Sequence, residues 1–254
     1  MGKNARFVFL GSTASVPSAK ADSFYMAVVK PDGRFFLLDC GGSPIHKLLK
    51  SGINPLLLEG ILLSHHHPDH IYGLPYLVQG LWLLGRRSPI PIWALSEGCE
   101  TARKLMEVWD WSIFKDFCGI ECHPIEPSEM ATVLEDDIFE IVASPVDHLI
   151  PTLAFRIRSK LSGKAVVCSG DTAPSEKVVR LAERAFILVH ESTGDFPGHS
   201  SAYQAGEIAR RSQVSSLILA HFNPWLDPEK ILEEAQQAFG GPVRLAADGD
   251  VYEF

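Results

Sequence analysis

Few cysteines and no long apolar run set the first limits on what this chain can be. The 254 residues include five cysteines, an odd number without the spacing of a disulfide framework, which predicts reduced and partly buried thiols. The apolar run at residues 7–10 is too short for the core of a signal peptide, and no stretch approaches the length of a membrane span. We therefore expect a cytoplasmic protein that does not enter a membrane.

Positive charge is scarce as well. The 23 Lys and Arg residues are outnumbered by 31 Asp and Glu residues, which gives a formal net charge of -8 without a basic stripe. On such a surface, only a local patch would attract a large polyanion such as RNA.

Repeats, linkers and low-complexity segments are missing too, and hydrophobic residues make up 46% of the chain. Residues 1–254 are therefore expected to form one globular domain.

A cluster of metal-binding residue types stands out between residues 64 and 70, where the sequence reads Ser-His-His-His-Pro-Asp-His. It follows an apolar run that predicts a buried strand, so the cluster is expected on a tight loop at the end of that strand. The residues that offer imidazole nitrogen or carboxylate oxygen are His65, His67, Asp69 and His70. These donors suit zinc and similar divalent ions, and their close spacing predicts a metal site.

Three further candidate ligands, His148, Asp171 and His221, each follow an apolar run farther along the chain. The carboxyl ends of strands in an α/β sheet meet at one edge, so we expect these side chains to lie beside the histidine loop. Two ions would then be bound per chain, with zinc as the expected metal and manganese or another divalent ion as an alternative. One ion would be held by His65, His67 and His148, and the other by Asp69, His70 and His221. Asp171 would bridge them, because a carboxylate has two oxygens to share.

The remaining pattern predicts strands and helices in alternation. An Asp-Gly turn between two apolar runs predicts a hairpin over residues 24–38, and a second hairpin is expected over residues 152–169. Helices are expected over residues 44–51, 75–85, 96–108, 201–211 and 228–239. Ser200 is the expected N-cap of the fourth helix. The aromatic stretch at residues 109–117 favours core or dimer packing, with a wall of a substrate pocket as the alternative.

Two residues beside the predicted site have more than one possible role. Asp39 ends a predicted strand and is either a simple turn residue or a hydrogen-bond partner of a metal histidine. His190, also at a strand end, could orient a ligand in the same way. The other histidines, His46, His66 and His123, are expected on the surface or in loops.

The ligand order resembles that of the metallo-β-lactamase superfamily, whose members share an HxHxDH motif followed by a distant His, Asp and His. Four further stretches resemble the ribonuclease Z group of that superfamily. They begin at Phe9, Leu38, His190 and His199 and read Phe-Leu-Gly-Ser, Leu-Asp-Cys-Gly, His-Glu-Ser-Thr and His-Ser-Ser-Ala-Tyr-Gln-Ala. The resemblance spans nearly the whole chain. It implies an α/β fold, the αββα sandwich of two mixed sheets flanked by helices, and a homodimer.

The same resemblance implies three catalytic residues, Asp69, Glu191 and His199. His199 carries no metal in the assignment above and is expected to protonate the leaving oxygen as a general acid. Glu191 would hold one ring nitrogen of His199 and favour its protonated form. Asp69 would serve catalysis as well as metal binding.

The chain departs from ribonuclease Z in one interval. Those enzymes carry an arm between the third metal histidine and the bridging aspartate, and this arm grips the tRNA elbow. Here the interval from His148 to Asp171 is short and filled by the predicted hairpin, so no arm fits. The stretch after His221 also lacks the serine and arginine that the group usually shows.

These features favour a dinuclear zinc phosphodiesterase that cleaves small diesters or short RNA. Three alternatives stay open: a ribonuclease Z that processes the 3′ ends of precursor tRNA, a hydrolase of thioesters, lactones or sulfate esters, and a metal-binding protein without catalysis. The pairing of Glu191 with His199 argues against the last of these, and by resemblance it favours phosphodiesters over thioesters and lactones.

Overall fold

Two seven-stranded sheets form the centre of the protein in the computed structural model, which describes residues 4–254. The first sheet contains β1 (Arg6–Gly11), β2 (Tyr25–Val29), β3 (Phe35–Leu38), β4 (Leu58–Leu62), β5 (Ile90–Ala94), β6 (Ile120–Pro124) and β14 (Val251–Glu253). The second contains β7 (Ala131–Glu135), β8 (Phe139–Val146), β9 (Thr152–Ser159), β10 (Ala165–Cys168), β11 (Ile187–Ser192), β12 (Ser216–Phe222) and β13 (Val243–Leu245). Their orders are β14-β1-β2-β3-β4-β5-β6 and β13-β12-β11-β10-β9-β8-β7, with parallel and antiparallel pairs in both.

Helices cover the outer faces of both sheets. The α-helices of the described chain are α1 (Pro44–Lys50), α2 (Pro68–Ile71), α3 (Leu74–Leu83), α4 (Ser96–Glu107), α5 (Glu176–Leu181), α6 (Ala202–Arg211) and α7 (Pro228–Phe239). One group of helices, α1, α3 and α4, packs on the first sheet, and α5, α6 and α7 pack on the second. No helix among residues 4–254 is long and apolar enough to cross a lipid bilayer.

Three layers of buried apolar side chains hold this arrangement together. On β1, Phe7 and Phe9 point into the layer between the sheets, whereas Val8 and Leu10 point into the layer beneath the helices. Because both faces of each sheet are covered, the central strands are apolar on both sides instead of alternating with polar residues. Helix, sheet, sheet and helix therefore follow one another, which confirms the expected αββα sandwich of two mixed sheets.

Most of the predicted elements are present. Both hairpins form, since β2 pairs with β3 and β9 pairs with β10 in antiparallel register. The helix α7 has the predicted bounds, and the other expected helices begin and end within two residues of theirs. The five cysteines are free thiols, and all are buried except the partly exposed Cys122.

The strands β6 and β7 have no counterpart among the predicted elements. Each lies at the edge of its sheet, where only one neighbouring strand is available. An edge strand is less covered and can carry more polar side chains, so its alternation is weaker. The residues of β6, Ile-Glu-Cys-His-Pro, include no fully buried side chain.

The predicted N-cap of α6 is wrong by one residue. Ser201 caps the helix through a capping box, in which its hydroxyl accepts from the Gln204 backbone and the Gln204 side chain accepts from the Ser201 backbone. Ser200 is fully buried instead, and its hydroxyl donates to the Thr172 carbonyl oxygen at 2.8 Å. This contact ties the loop before α6 to the loop after β10.

The strand directions bring the predicted site together. Because β8, β10, β11 and β12 run in the same direction, their carboxyl ends lie along one edge of the second sheet. The loop after β4 reaches that edge from the first sheet, where the Leu153 N–H donates to the Ser64 carbonyl oxygen at 3.0 Å. The interval between His148 and Asp171 consists of the hairpin β9–β10 and its short connections, so it contains no arm.

Candidate metal centre and active site

The seven predicted ligand residues meet where the two sheets face each other. Their donor atoms form two groups, and within each group all of them lie within 4.8 Å of one another. The groups are His65, His67, His148 and Asp171, and Asp69, His70 and His221. Either group could hold a divalent metal ion, because imidazole nitrogen and carboxylate oxygen are suitable donors.

The loop between β4 and α2 aims four of these donors from one short stretch of chain. Pro68 opens α2, where its missing N–H leaves no hydrogen bond unmade. The single turn of this helix carries Asp69 and His70, and both are buried. His67 stands just before the helix in an extended conformation, so its ring enters the same space from a different direction.

Asp39 fixes the orientation of two histidines. Its carboxylate accepts hydrogen bonds from the Nδ1–H of His70 at 2.8 Å and from the hydroxyl of Ser64 at 2.8 Å. The Ser64 oxygen then accepts from the Nδ1–H of His65 at 3.0 Å. Both rings are thereby held with the proton on Nδ1 and a lone pair on Nε2. Asp39 also has a φ of 63°, so it combines the two roles considered for it, a turn residue and the partner of a histidine.

Gly198 and Thr193 orient the two remaining histidines. The Nδ1–H of His148 donates to the Gly198 carbonyl oxygen at 2.7 Å. The Thr193 hydroxyl donates to the His221 carbonyl oxygen, so the same hydroxyl oxygen accepts from the His221 Nδ1–H, at 2.8 Å in each case. Residue 198 has to be glycine here, because its φ is 79° and a Cβ atom would lie 3.0 Å from the ring of His148.

The fixed tautomers leave lone pairs that face one another. His70 and His221 approach with their Nε2 atoms 3.3 Å apart, so two lone pairs face each other whenever both rings are neutral with the proton on Nδ1. His67 Nδ1 lies 3.0 Å from His65 Nε2 and 3.2 Å from His148 Nε2, and one ring proton could satisfy only one of these. A cation between such nitrogens removes the repulsion, so the donor set fits bound divalent ions. Burial lowers the pKa of His65 well below its ordinary value, which keeps it in the neutral form that ligands a metal.

Asp171 lies between the two groups. One of its carboxylate oxygens is 3.8 Å from His65 Nε2, 3.5 Å from His70 Nε2 and 3.4 Å from His221 Nε2. Burial works against the charged form, but the neighbouring histidines, above all His221 and His70, hold the pKa of Asp171 well below its ordinary value. An ionised carboxylate at this position suits a donor that two cations share.

His221 departs from the predicted strand end. The strand β12 continues through it to Phe222, and the pairing with β11 shifts so that His221 has no partner opposite. Its φ is 46°, a left-handed conformation that is uncommon for histidine. This bulge turns the imidazole toward the other donors, as bulges near functional sites often do.

Glu191 and His199 form a pair beside the ligand groups. His199 Nδ1 lies 2.9 Å from Glu191 Oε1. A ring nitrogen of His199 is also within 4.8 Å of donor atoms of Asp171 and His221. Burial disfavours a charge on His199, yet the hydrogen bond and the negative charge of Glu191 raise its pKa above the ordinary value. The geometry therefore provides a proton donor next to the ligand groups.

Glu191 has a structural role as well. Its buried carboxylate accepts from the backbone N–H of Thr172 at 3.1 Å, of Thr193 at 2.8 Å and of Ser200 at 3.1 Å. It thus joins the loops that follow β10 and β11 to the segment that begins α6. His190, by contrast, donates from Nδ1 to the carbonyl oxygen of Glu191 at 2.7 Å and orients none of the predicted ligands within the described chain.

Several contacts at the site have no counterpart in the sequence analysis. Besides Thr193 and Gly198, the hydroxyl of Ser15 donates to Asp69 Oδ2 at 2.8 Å. Ser15 lies in the loop after β1, and the ribonuclease Z-like stretch at residues 9–12 was the one signal near it. These partners are small residues or backbone atoms, so their residue types alone do not indicate a role at a metal site.

The groups open into a cavity of about 570 Å³, within the usual range for small-molecule sites. His67, Asp69, Asp171 and His199 line it. At Tyr72 it adjoins a second cavity of about 500 Å³, which is lined by residues of the aromatic stretch. Within that stretch, the rings of residues 111 and 117 stack at 4.5 Å and pack against the core, which confirms the favoured prediction of core packing for them.

Comparison with known proteins places the chain in a family. The family described as "Beta-lactamase superfamily domain" matches residues 34–222. Ribonuclease Z of Methanothermobacter thermautotrophicus is 30% identical over 295 aligned positions, which cover 94% of this chain and 93% of that protein. Ribonuclease Z of Bacillus licheniformis is 28% identical, with 97% of each chain covered.

Solved structures share the fold. The metallo-beta-lactamase fold protein YhfI of Bacillus subtilis superposes with a TM-score of 0.84 at 24% identity, over 99% of this chain and 100% of that one. The short form of human tRNase Z superposes with a TM-score of 0.79 at 23% identity, over 98% of each chain. Together with the sequence matches, these similarities show that the chain belongs to the β-lactamase superfamily domain family and is a metallo-hydrolase of its ribonuclease Z-like group.

Proposed function

We propose that this protein is a dinuclear zinc phosphodiesterase that cleaves small or short diesters. The observation that carries the proposal is the pair of donor groups with Asp171 between them, beside the buried Glu191 and the partly buried His199. His65, His67 and His148 would hold one ion, Asp69, His70 and His221 the other, and Asp171 both. Manganese or another divalent ion could replace zinc with the same donors.

When bound, such ions lower the pKa of a water molecule and stabilise negative charge on phosphoryl oxygens. The residues supply the remaining functions. Ser15 holds Asp69 in place by a hydrogen bond, so that this carboxylate keeps one orientation during the reaction. Asp39, Thr193 and Gly198 keep the histidine tautomers fixed, which avoids reorganisation of the site when substrate arrives.

His199 is the proposed general acid. Cleavage of an alkyl phosphodiester leaves an alkoxide, which departs slowly near neutral pH unless it gains a proton. The Nδ1 atom of His199 is engaged by Glu191, so its Nε2–H is free to protonate the leaving oxygen. A ring nitrogen of His199 lies within 4.8 Å of donor atoms of Asp171 and His221. A phosphodiester held by the two donor groups would therefore be within reach of the His199 proton.

The preference for small substrates rests on charge and on what the chain lacks. The interval between His148 and Asp171 holds only the hairpin, and the net charge is -8. The alignment with the Methanothermobacter ribonuclease Z extends over 295 positions although this chain has 254 residues, so that relative carries segments that this chain lacks. A long RNA would find few positive contacts here.

A substrate panel tests the proposal. Zinc-loaded protein is assayed with bis(p-nitrophenyl) phosphate, cyclic nucleotides, short RNA, precursor tRNA, a thioester and a lactone. We expect turnover of the small diesters and about two ions per chain. Asp171→Ala should lose more metal than His148→Ala, since Asp171 would serve both ions. A stoichiometry that stays near one ion in excess zinc would contradict the dinuclear centre, and faster turnover of the thioester or lactone would contradict the substrate class.

The second candidate is processing of precursor tRNA at its 3′ end, favoured by the 30% identity to a ribonuclease Z. Local contacts would then have to replace the arm. Specific cleavage of precursor tRNA with an efficiency above that for small diesters would establish this alternative. A shallow salt dependence of tRNA binding, on the other hand, is expected if few phosphates are neutralised.

We also propose that the chain is one domain that pairs as a homodimer. The exposed side chains of Tyr76, Trp109 and Ile113 form an apolar surface that a second copy could cover. Sedimentation should then give twice the chain mass of 28.0 kDa, and Ile113→Asp should reduce it toward that of a single chain. A wild-type mass of one chain at micromolar concentration would rule out the dimer.

A further inference from the structure

A smaller cleft of about 240 Å³ also opens beside His199. Its apolar lining comes from Val16, Phe196, Pro224 and Trp225, and His199 and His221 line it as well. His199 therefore stands at the boundary between this cleft and the main cavity, which it also lines.

The apolar side chains that line the cleft are largely exposed to solvent. Val16 is 58% exposed, Phe196 59% and Trp225 72%, and they come from three separate loops. Apolar side chains gathered in one concave place beside a reactive site are typical of a ligand-binding surface. None of the residues that line the cleft is an aspartate, glutamate, lysine or arginine, so the ligand part that enters it should be uncharged.

Asn223 adds one polar group to this surface. Its side-chain oxygen accepts from the backbone N–H of Trp225 at 3.0 Å, which holds the loop after β12 in shape. This leaves the NH₂ group of Asn223 available to donate to a ligand. The same loop lacks the serine and arginine expected from ribonuclease Z and presents Trp225 instead.

We propose that this cleft binds the flat aromatic base of the nucleoside that leaves when the diester is cleaved, an inference that rests on the proposed phosphodiesterase function. The leaving oxygen would lie between the phosphorus and the Nε2 atom of His199, so the nucleoside attached to that oxygen has to extend along His199 and away from the phosphorus. The cleft lined by His199 and His221 is a space beside this atom that such a group can enter. Trp225 and Phe196 offer rings on which a base can stack, and Asn223 offers a donor to a base nitrogen or carbonyl oxygen. A volume of about 240 Å³ leaves room for one ring system but not for a folded polymer.

The cleavage test compares two diesters that differ only in the leaving group. One releases a nucleoside, and the other releases the same ribose without a base, so both need protonation of a similar alkoxide. Wild-type protein should have a kcat/KM roughly 5- to 150-fold higher for the first, the scale of one base stacked on an aromatic ring. Trp225→Ala should remove most of that difference, Trp225→Phe should restore much of it, and both variants should slow cleavage of the abasic diester far less than that of the nucleoside diester.

A binding test separates this inference from the proposed function. Zinc-loaded protein is titrated with adenosine monophosphate and with ribose 5-phosphate in a calorimeter. Adenosine monophosphate should bind more tightly, and Trp225→Ala should abolish the difference, whether or not any diester is hydrolysed. Leu161→Ala serves as the matched control, since Leu161 is 53% exposed and lies in the turn between β9 and β10, at the opposite end of β10 from Asp171.

Two results would overturn the inference. Equal affinity of the wild-type protein for adenosine monophosphate and ribose 5-phosphate would show that no base is bound. Equal loss of kcat/KM on both diesters in Trp225→Ala would show that Trp225 supports the site in general without contacting a base. Failure of the wild-type protein to cleave either diester would refute the proposed function alone, because the binding test would still report on the cleft.

Discussion

Replacement of His199 by alanine separates acid catalysis from every other role of this residue. The imidazole is held by Glu191 at 2.9 Å and lies near Asp171 and His221. If it protonates the leaving oxygen, His199→Ala should slow cleavage of a diester with an alkyl leaving group by roughly 10²–10⁴-fold, the usual contribution of a general acid. A p-nitrophenyl diester should be slowed only slightly, because p-nitrophenolate departs without a proton.

The structure explains why His199, and not Glu191, should be changed. Without His199, the Glu191 carboxylate still accepts from the backbone N–H groups of Thr172, Thr193 and Ser200, so it stays satisfied. The loss of one hydrogen bond to a charged group should cost about 1.5–3 kcal/mol of stability at most. Replacing Glu191 would instead leave three backbone donors without a partner in a buried place, and the site would lose its shape.

The assay measures kcat/KM for both diesters together with the zinc content of each variant. Equal slowing of the two diesters with wild-type metal content would refute the acid role and leave His199 a binding residue. A variant that loses zinc would show a ligand role, which the distances to Asp171 and His221 would also permit. Tyr203→Ala, a change at a half-exposed aromatic residue of the neighbouring helix α6, controls for general disturbance of this region.

Three further predictions concern the support of the site and of the core. Asp39→Asn should lower zinc affinity about 10- to 100-fold in a competition titration. Asp39 accepts from the Ser64 backbone N–H with Oδ1 and from the His70 Nδ1–H with Oδ2, whereas an amide has one acceptor oxygen, so one of these donors would lose its partner. Asparagine tolerates the φ of 63° at this position, and equal affinity would contradict the role of Asp39. Gly198→Ala and Gly163→Ala should both lose about 1–2 kcal/mol of stability, because both glycines have a positive φ. Only Gly198→Ala should weaken metal binding, since a Cβ there would contact His148, whereas nothing lies within 4 Å of a Cβ at Gly163. Equal metal affinity of the two variants would contradict the contact with His148. Phe155 is buried between the sheets, so Phe155→Ala should reduce the free energy of unfolding, measured with urea, by about 3–5 kcal/mol. Phe196 is exposed, so Phe196→Ala should change it by less than about 0.5 kcal/mol. Similar losses in the two variants would contradict the location of the core.

The ligand residues could be predicted because their chemistry and their positions agree. Imidazole and carboxylate are scarce in apolar surroundings, and His148 and Asp171 each follow a strand whose apolar residues are plain in the sequence. The αββα sandwich followed from the resemblance, while the alternation of strands and helices indicated only an α/β protein. Edge strands such as β6 escaped prediction because their polar residues weaken the pattern.

The partners that orient the ligands could not be predicted. Thr193 contacts His221 across 28 residues of sequence, and Ser15 contacts Asp69 across 54. Serine and threonine are common everywhere, and the atom of Gly198 that matters is a backbone oxygen. Such contacts depend on where the loops lie in space, which periodicity and residue type do not specify. The bulge at His221 escaped prediction for the same reason, since it depends on the register between β11 and β12.

If His148 holds a metal ion, its hydrogen bond to the Gly198 carbonyl oxygen connects binding of that ion to the loop that carries His199. This hydrogen bond uses Nδ1 of His148 and leaves Nε2 facing the other donors of its group. A contact that orders the loop therefore also orders the His148 ring. Coupling of this kind is reciprocal: a compound that orders the loop raises the affinity for the ion by the same factor by which the ion raises the affinity for the compound. Protein with bound substrate would then lose its metal to a chelator less readily than free protein, and it would keep its metal at low metal concentration as long as substrate is present.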